Sequence, residues 1–507
     1  MSKILILDFG GQYKELIARR IRNMGVDAFV VPCNTPIQDI LAQKPDGLIF
    51  SGGPHSVYSS VSPRADEKIF SCGLPILGIC YGQQYIAHAL GGEVSRCIVS
   101  EYGKTLTVVK PRNPLFKGLA KNQFMLMSHS DGVTKLPEGF EVVAHTANCK
   151  IAGMANLEKN IYAVQFHPEV TRSKKGKKIL KNFVFGICKA MAKPRQIKTV
   201  DDFILDIKNQ IGDGKCILGV GGGLTSAVCA NLIYKAIGDR LTCVFVDHGM
   251  LRANEKEEIE EIYARLPYNF KSVDARDRFA KALKGAFDAE TKRKIIGREF
   301  FAVFEEEANK IGADFLSQGT VYSNVIESGA ENSANIKSHH NVGGVPKDNR
   351  FKGIIEPLKA LFKDEVATLA KQLGVPEFFL SRQPFPGPGL GIRIMGEVTA
   401  DKLEILRKAD NIFSEEVEKM PKKKRPTQYF AVITGMRSVG AMGDGRVYDY
   451  VIALRAVNTT DFMTAVHAPF SAKTLGKICD RIVNEVVGAC RVVYDITDKP
   501  PATIEWE

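Results

Sequence analysis

The sequence has no apolar run approaching the roughly 20 residues that a membrane-spanning helix needs. The apolar stretch Ile4–Leu7 near its start is broken at once by Asp8. That is too short for the hydrophobic core of a secretion signal, and it reads as a buried first strand. The 11 cysteines show no paired spacing and no Cys-x-x-Cys. With no signal, this pattern implies reduced thiols in a cytoplasmic setting and argues against a disulfide framework. Internal repeats and low-complexity segments are absent as well. No long basic tract accompanies the net charge of +12; the basic residues are spread out, with short runs only at Lys174–Lys178 and Lys422–Arg425. Such runs read as solvated loop faces, so neither nucleic acid nor membrane is expected as a partner.

What remains is an ordinary globular composition, 45% hydrophobic and 25% charged, on 507 residues. That length exceeds one hydrophobic core, and two to four domains are expected. Residues 1–192 alternate short strands (Lys3–Asp8, Gly47–Ser51, Pro75–Gly78) with amphipathic helices, the pattern of a mostly parallel sheet covered on both faces. The segment around Lys193-Pro194-Arg195 reads as a linker. A second α/β series spans 200–385, with strands predicted at Cys216–Val220, Leu241–Val246 and Asp314–Ser317. Pro384-Phe385-Pro386-Gly387-Pro388-Gly389 then ends regular structure, and a third region occupies 386–507. The expected fold is α/β, with two doubly wound mostly parallel sheet domains followed by a smaller α+β domain.

Chemistry concentrates first at Gly78-Ile79-Cys80-Tyr81-Gly82-Gln83-Gln84. This places a cysteine between a short strand and a helix predicted over Gln84–Leu90, where the helix N-terminus favours thiolate. A cysteine nucleophile needs a base and an orienting carboxylate. Phe166-His167-Pro168-Glu169 supplies both after another apolar strand. Ser51-Gly52-Gly53-Pro54 offers backbone N–H groups to a developing oxyanion. Together these residues resemble the class I glutamine amidotransferases. The resemblance implies that Cys80 attacks the glutamine side-chain carbonyl, His167 moves the proton and Glu169 orients the imidazole. It places the oxyanion near Gly53 and Tyr81, and glutamine contacts at Gln84, Ser128 and His129.

The second constellation is Gly221-Gly222-Gly223-Leu224-Thr225-Ser226, a glycine-rich turn after a strand and before an apolar helix. Free N–H groups at such a turn cradle anions. There is no GxxxxGK[ST] lysine, so it is not a Walker loop. Taken alone, it also fits a structural glycine turn. It resembles the pyrophosphatase loop Ser-Gly-Gly-x-Asp-Ser of adenylating synthetases, with Gly221 and Thr225 in place of the serine and aspartate. Asp247 ends the next strand at the edge where nucleotide sites gather.

Further segments follow in the order seen in glutamine-hydrolysing GMP synthetases: Val325–Ser328, Ile336–Asn341, Leu361–Val366 and the tail Lys499–Glu507. The resemblance implies ATP and Mg2+ as cofactors, with no metal ligand assigned. It implies xanthosine monophosphate (XMP) and glutamine as substrates, and a homodimer through the C-terminal region. Lys337, His339, Asp364, Lys499, Thr503 and Glu505 are the expected substrate contacts, with Lys363 beside them. Asn324, Gln383 and the stretch Ala465–Phe470 also depart from the family pattern. Two alternatives stay open at this point: an amidotransferase for another purine-like acceptor, or a homologue whose adenylation is silenced.

Overall fold

In the computed structural model, residues 2–193, 198–322, 324, 350–442, 445–460 and 462–507 are described. The expected contacts Lys337 and His339 lie outside them. The chain divides into two compact units, essentially residues 1–197 and residues 198–498 with 503–507.

The first unit runs β1 (Lys3–Asp8), α1 (Lys14–Arg22), β2 (Asp27–Pro32), α2 (Ile37–Ala42), β3 (Gly47–Phe50), β4 (Ile76–Ile79), α3 (Tyr81–Ala89), β5 (Glu93–Val109), β6 (Asn122–Lys135), β7 (Glu141–His145), β8 (Gly153–Asn156), β9 (Ile161–Val164) and α4 (Gly176–Lys181). Its sheet has the order β2-β1-β3-β4-β9-β8-β7-β5-β6. Strand alternation explains the two cores. In β1, Ile4 and Ile6 point to the face covered by Ile17 and Ile21 of α1. Leu5 and Leu7 point to the other face, covered by Tyr85 and Ile86 of α3. A strand buried on both sides must be apolar throughout, which is why β1, β3, β4 and β9 read as short hydrophobic runs.

The expectation of a mostly parallel sheet holds for the half from β2 to β9. From β9 outward the pairing is antiparallel, through β8, β7, β5 and β6. The long strands β5 and β6 carry polar and apolar residues on the two faces of a ribbon, so they lack the apolar runs that marked the central strands.

The second unit continues with α5 (Val200–Ile211), β10 (Cys216–Gly219), α6 (Leu224–Ile237), β11 (Leu241–Asp247), α7 (Glu255–Ala264), β12 (Asn269–Asp274), α8 (Arg276–Leu283), α9 (Ala289–Ile311), β13 (Phe315–Ser317), β14 (Gly353–Ile355), α10 (Lys363–Leu373), α11 (Glu377–Ser381), α12 (Ala400–Glu418), β15 (Gln428–Met442), β16 (Gly445–Asn458), β17 (Val466–His467), α13 (Ala472–Glu485) and β18 (Ala489–Asp495). Its five-stranded sheet, β12-β11-β10-β13-β14, is parallel throughout. A smaller sheet joins β15, β16 and β17 antiparallel, with β18 parallel to β16. Among the described residues no helix is long and apolar enough to cross a membrane.

Candidate active site

In the first unit, β4 delivers Cys80 and α3 begins at the very next residue. The helix was expected only from Gln84. It starts earlier because Cys80 takes a φ of 54°, a conformation that non-glycine residues rarely adopt and that turns the chain sharply. Two glycines make this turn sterically possible. A Cβ at Gly82 would stand 2.5 Å from the Phe50 carbonyl oxygen, and one at Gly78 would stand 2.7 Å from the Gly82 carbonyl oxygen. The opening N–H groups of α3, Tyr81 first, have no partner inside the helix and carry its positive dipole end toward the thiol.

The chain past β9 brings His167 to the same place, anchored by its N–H to the Leu126 carbonyl at 3.0 Å. His167 Nδ1 meets Glu169 Oε1 at 2.7 Å. That leaves Nε2 for Cys80, whose sulfur is a hydrogen-bonding partner of this ring. Burial alone would lower the affinity of His167 for a proton. The Glu169 carboxylate and the Cys80 sulfur outweigh it and raise the imidazole to about 10. Gly52 sits over the pair: a Cβ there would be 3.3 Å from His167 Cε1 and 3.6 Å from Cys80 Cβ. Gly53 packs as closely, since its Cβ would meet the Phe9 carbonyl oxygen at 2.4 Å.

Of the other expected glutamine contacts, the Ser128 carbonyl and Gln84 lie beside this centre, while His129 turns to Glu101 and Asp131. The Ser128 carbonyl lies 3.8 Å from Cys80 Sγ. Gln84 donates to the Asp131 carbonyl at 2.9 Å and to Gln165 Oε1 at 3.3 Å. His129 is buried, with Nδ1 at 2.9 Å from the Asp131 carbonyl and Nε2 at 3.3 Å from Glu101. Sequence reasoning missed Gln165, whose amide reaches Cys80 Sγ at 3.7 Å, and Tyr13, whose ring stands edge-on to His167. Gln165 was within reach: it stands two residues before His167, directly after β9.

In the second unit, loops at the carboxyl ends of β10, β11 and β13 enclose a cavity of about 290 Å³. Gly221, Gly222, Gly223 and Ser226 line it, and Leu224 and Thr225 open α6 directly behind them. Phe300, Phe301 and Phe304 of α9 form an aromatic flank, and Phe385 to Pro388 close another side. A lining that combines glycines, whose N–H groups can face a ligand, with aromatic rings suits a nucleotide's phosphates and base.

Asp247 does not line the cavity. Its carboxylate accepts the Gly249 N–H at 3.0 Å and is ion-paired with Lys256 and Arg276 at 3.5 and 3.7 Å. Two converging cations hold it to its own loop, which a strand-end position alone could not foretell. The carboxylate that does line the cavity is Glu255, already paired with Arg252 at 3.5 Å and Arg382 at 3.1 Å. The described residues therefore offer Mg2+ no uncommitted carboxylate here, and at Thr225 only a hydroxyl. Next to the pair, His248 accepts the Met250 N–H at Nδ1, and burial lowers it to about 4, so it is neutral.

The departures from the family pattern have local uses. Asn324 accepts the Val321 N–H at 3.1 Å, and Gln383 the Tyr429 N–H at 2.9 Å. His467, in the stretch Ala465–Phe470, bonds Asp498 at 3.0 Å, next to Lys499 in the loop after β18. Asp364 lies in the first turn of α10, where its carbonyl accepts from Thr368. Lys363 stands 4.0 Å over the Phe462 ring. Thr503 gives its carbonyl to Arg455 at 2.9 Å. Glu505, an expected substrate contact, accepts two bonds from buried Arg393, at 3.1 and 3.0 Å, and one from Gln428 at 2.9 Å. A guanidinium that is 1% exposed needs a counterion, and Glu505 supplies it.

Comparisons with known proteins cover the chain from end to end. A glutamine amidotransferase class-I model matches residues 5–187, an NAD synthase model residues 196–423, and a GMP synthase C terminal domain model residues 415–506. The chain is 53% identical to a glutamine-hydrolysing GMP synthase of Treponema denticola over 507 residues, covering 100% of this chain and 97% of that one. It is 52% identical over 506 residues to the one from Caldicellulosiruptor saccharolyticus, covering 99% of each. The enzyme of Lactobacillus acidophilus is 52% identical over 509 residues, covering 100% of this chain and 98% of that one. Matched along its whole length, the chain belongs to the family of glutamine-hydrolysing GMP synthases.

Proposed function

We propose that this ATP-dependent carbon–nitrogen ligase makes GMP from XMP, with Cys80, His167 and Glu169 as its source of ammonia. The arrangement of these three side chains around a strained elbow carries the reading. The Cys80 sulfur attacks the glutamine side-chain carbon while N–H groups near Gly53 and Tyr81 stabilise the oxyanion. His167 protonates the departing ammonia, leaving a glutamyl thioester. It then takes a proton from water, whose attack releases glutamate and restores the thiol. Glu169 holds the imidazole in the tautomer with Nε2 toward sulfur.

At the second centre, the glycine loop from Gly221 to Ser226 binds ATP. The C2 oxygen of XMP attacks the α-phosphorus and pyrophosphate leaves. Ammonia then adds at C2 and AMP departs, giving GMP. Mg2+, if carried in on the ATP phosphates, would neutralise their charge, with the Thr225 hydroxyl a side-chain oxygen of the loop to meet it. Asp364, Lys499, Thr503 and Glu505 are the XMP contacts in this reading. The domain division is 1–192 for glutamine hydrolysis, 200–385 for adenylation and 386–507 for dimerisation and XMP. The working form is a cytoplasmic homodimer through residues after Gly389, for which light scattering is the check.

The direct test mixes purified protein with XMP, ATP and Mg2+, with either glutamine or ammonium, and follows GMP. Formation of GMP from both nitrogen sources is expected. AMP release without GMP, or neither product, would overturn the reading.

A further inference from the structure

Behind the Ser128 carbonyl, β5, β6 and the loop after β7 bring together side chains that the proposed reaction does not use for chemistry. Glu101, His129 and Cys149 are buried, and one donor atom from each lies within 4.8 Å of the others; no second such cluster of His, Cys, Asp and Glu occurs among the described residues. Cys97 stands beside them, with its sulfur 3.9 Å from His129 Nδ1. A Cβ at Gly132 would stand 3.0 Å from the Cys97 sulfur and 3.9 Å from that of Cys149. Glycine at this position keeps the space between the two thiols open.

The hydrogen bonds around the cluster point to a cation. His129 Nδ1 lies 2.9 Å from the Asp131 carbonyl, which can only accept, so Nδ1 carries its hydrogen. Nε2 then faces Glu101 Oε2 at 3.3 Å. A nitrogen lone pair opposite a carboxylate is repulsive unless a proton or a metal ion lies between them. The other Glu101 oxygen accepts from the Thr146 hydroxyl at 2.7 Å, and that hydroxyl also receives the Cys149 N–H at 2.8 Å. An imidazole held through Nδ1 by a carbonyl, and a carboxylate held by a hydroxyl, are how proteins orient metal ligands from outside.

We propose that Glu101, His129 Nε2 and Cys149 form a site for a thiophilic divalent cation of the Zn2+ class. Nitrogen, sulfur and carboxylate oxygen are the donors Zn2+ takes, and three protein ligands leave one tetrahedral position for water or a further donor. On binding, the Cys149 thiol releases its proton to solvent and Nε2 contributes its lone pair. The ion pins residues 128–131, which present the Ser128 carbonyl to Cys80 and the Asp131 carbonyl to Gln84.

The test uses the full chain carrying Cys80→Ala, which removes the nucleophilic thiol as a competing ligand. Metal-free protein is titrated with Co2+ and then Zn2+. One equivalent of Co2+ should give thiolate-to-cobalt absorption in the near ultraviolet, bleached by Zn2+. Cys149→Ser should weaken binding by more than the roughly 10- to 100-fold that loss of an outer partner costs, with an unaltered circular dichroism spectrum. Cys97→Ser, outside the three-donor cluster, should leave the cobalt band in place. No thiolate absorption, or a band that survives Cys149→Ser, overturns the site.

Discussion

His167 Nδ1 lies 2.7 Å from Glu169 Oε1, with the two side chains 6% and 1% exposed. At that distance and burial the carboxylate fixes which ring nitrogen holds the proton, and it favours the imidazolium. Because the folded value is raised to about 10, the pair's stabilisation is fully present below the unfolded-chain value near 6.5 and fades as pH rises through about 10. Glu169→Gln should therefore be less stable than the parent at pH 6, with the gap narrowing toward pH 10. Urea unfolding across that range measures it. A gap that does not change with pH rules out the charge as its cause.

Cys80→Ala should abolish glutamine-driven GMP formation while ammonium-driven formation continues, because external ammonia bypasses the thiol. Continued glutamate release by the variant would remove Cys80 as the nucleophile.

The glycine loop lacks the serine and aspartate of the family pattern. Nothing lies within 4 Å of a Cβ built at Gly221, so Gly221→Ser fits without rearrangement. One charge-assisted contact is worth ~1.5–3 kcal/mol, or roughly ten- to hundred-fold in rate if felt only in the transition state. Gly221→Ser with Thr225→Asp should raise ammonium-driven AMP formation and lower the Mg2+ required. The gain should exceed the sum of the single changes, since both groups would address one pyrophosphate. Fast turnover by the parent at ordinary Mg2+, with no gain on repair, would show that the hydroxyl of Thr225 already suffices.

Two glycine replacements should separate stability from binding. In Gly82→Ala the new methyl meets the Phe50 carbonyl oxygen at 2.5 Å, and neither backbone can yield cheaply. A loss of ~1–3 kcal/mol and a lower melting temperature are expected. In Gly222→Ala the methyl meets Arg382 at 2.3 Å, the far end of a flexible side chain. Melting should move little, while ATP affinity should fall as the guanidinium is displaced beside the loop. Calorimetry of both variants decides; equal destabilisation would contradict the distinction.

The chemistry of the first centre was legible because its parts are local in sequence. A strand, a cysteine between Gly78 and Gly82, and His167 two residues from Glu169 are patterns a linear reading can see. The same holds for the glycine loop, which lies at a strand-to-helix junction as the apolar run before it requires. The antiparallel ribbon β5–β6 was not legible, since a strand with one wet face lacks a hydrophobic run. Nor was the fate of Asp247, because Lys256 and Arg276 come from two different helices.

By itself, then, the sequence determined which side chains are candidates for chemistry and that two sheets, one parallel throughout and one parallel over half its width, present them at strand ends. Only the tertiary structure decided which charges are already neutralised. Glu505 is 112 residues from Arg393, and Glu255 is 127 residues from Arg382, 255 against 382 in the numbering. Ion pairs across such separations depend on where whole helices and strands pack. Burial sets their strength, and neither quantity is written in local spacing.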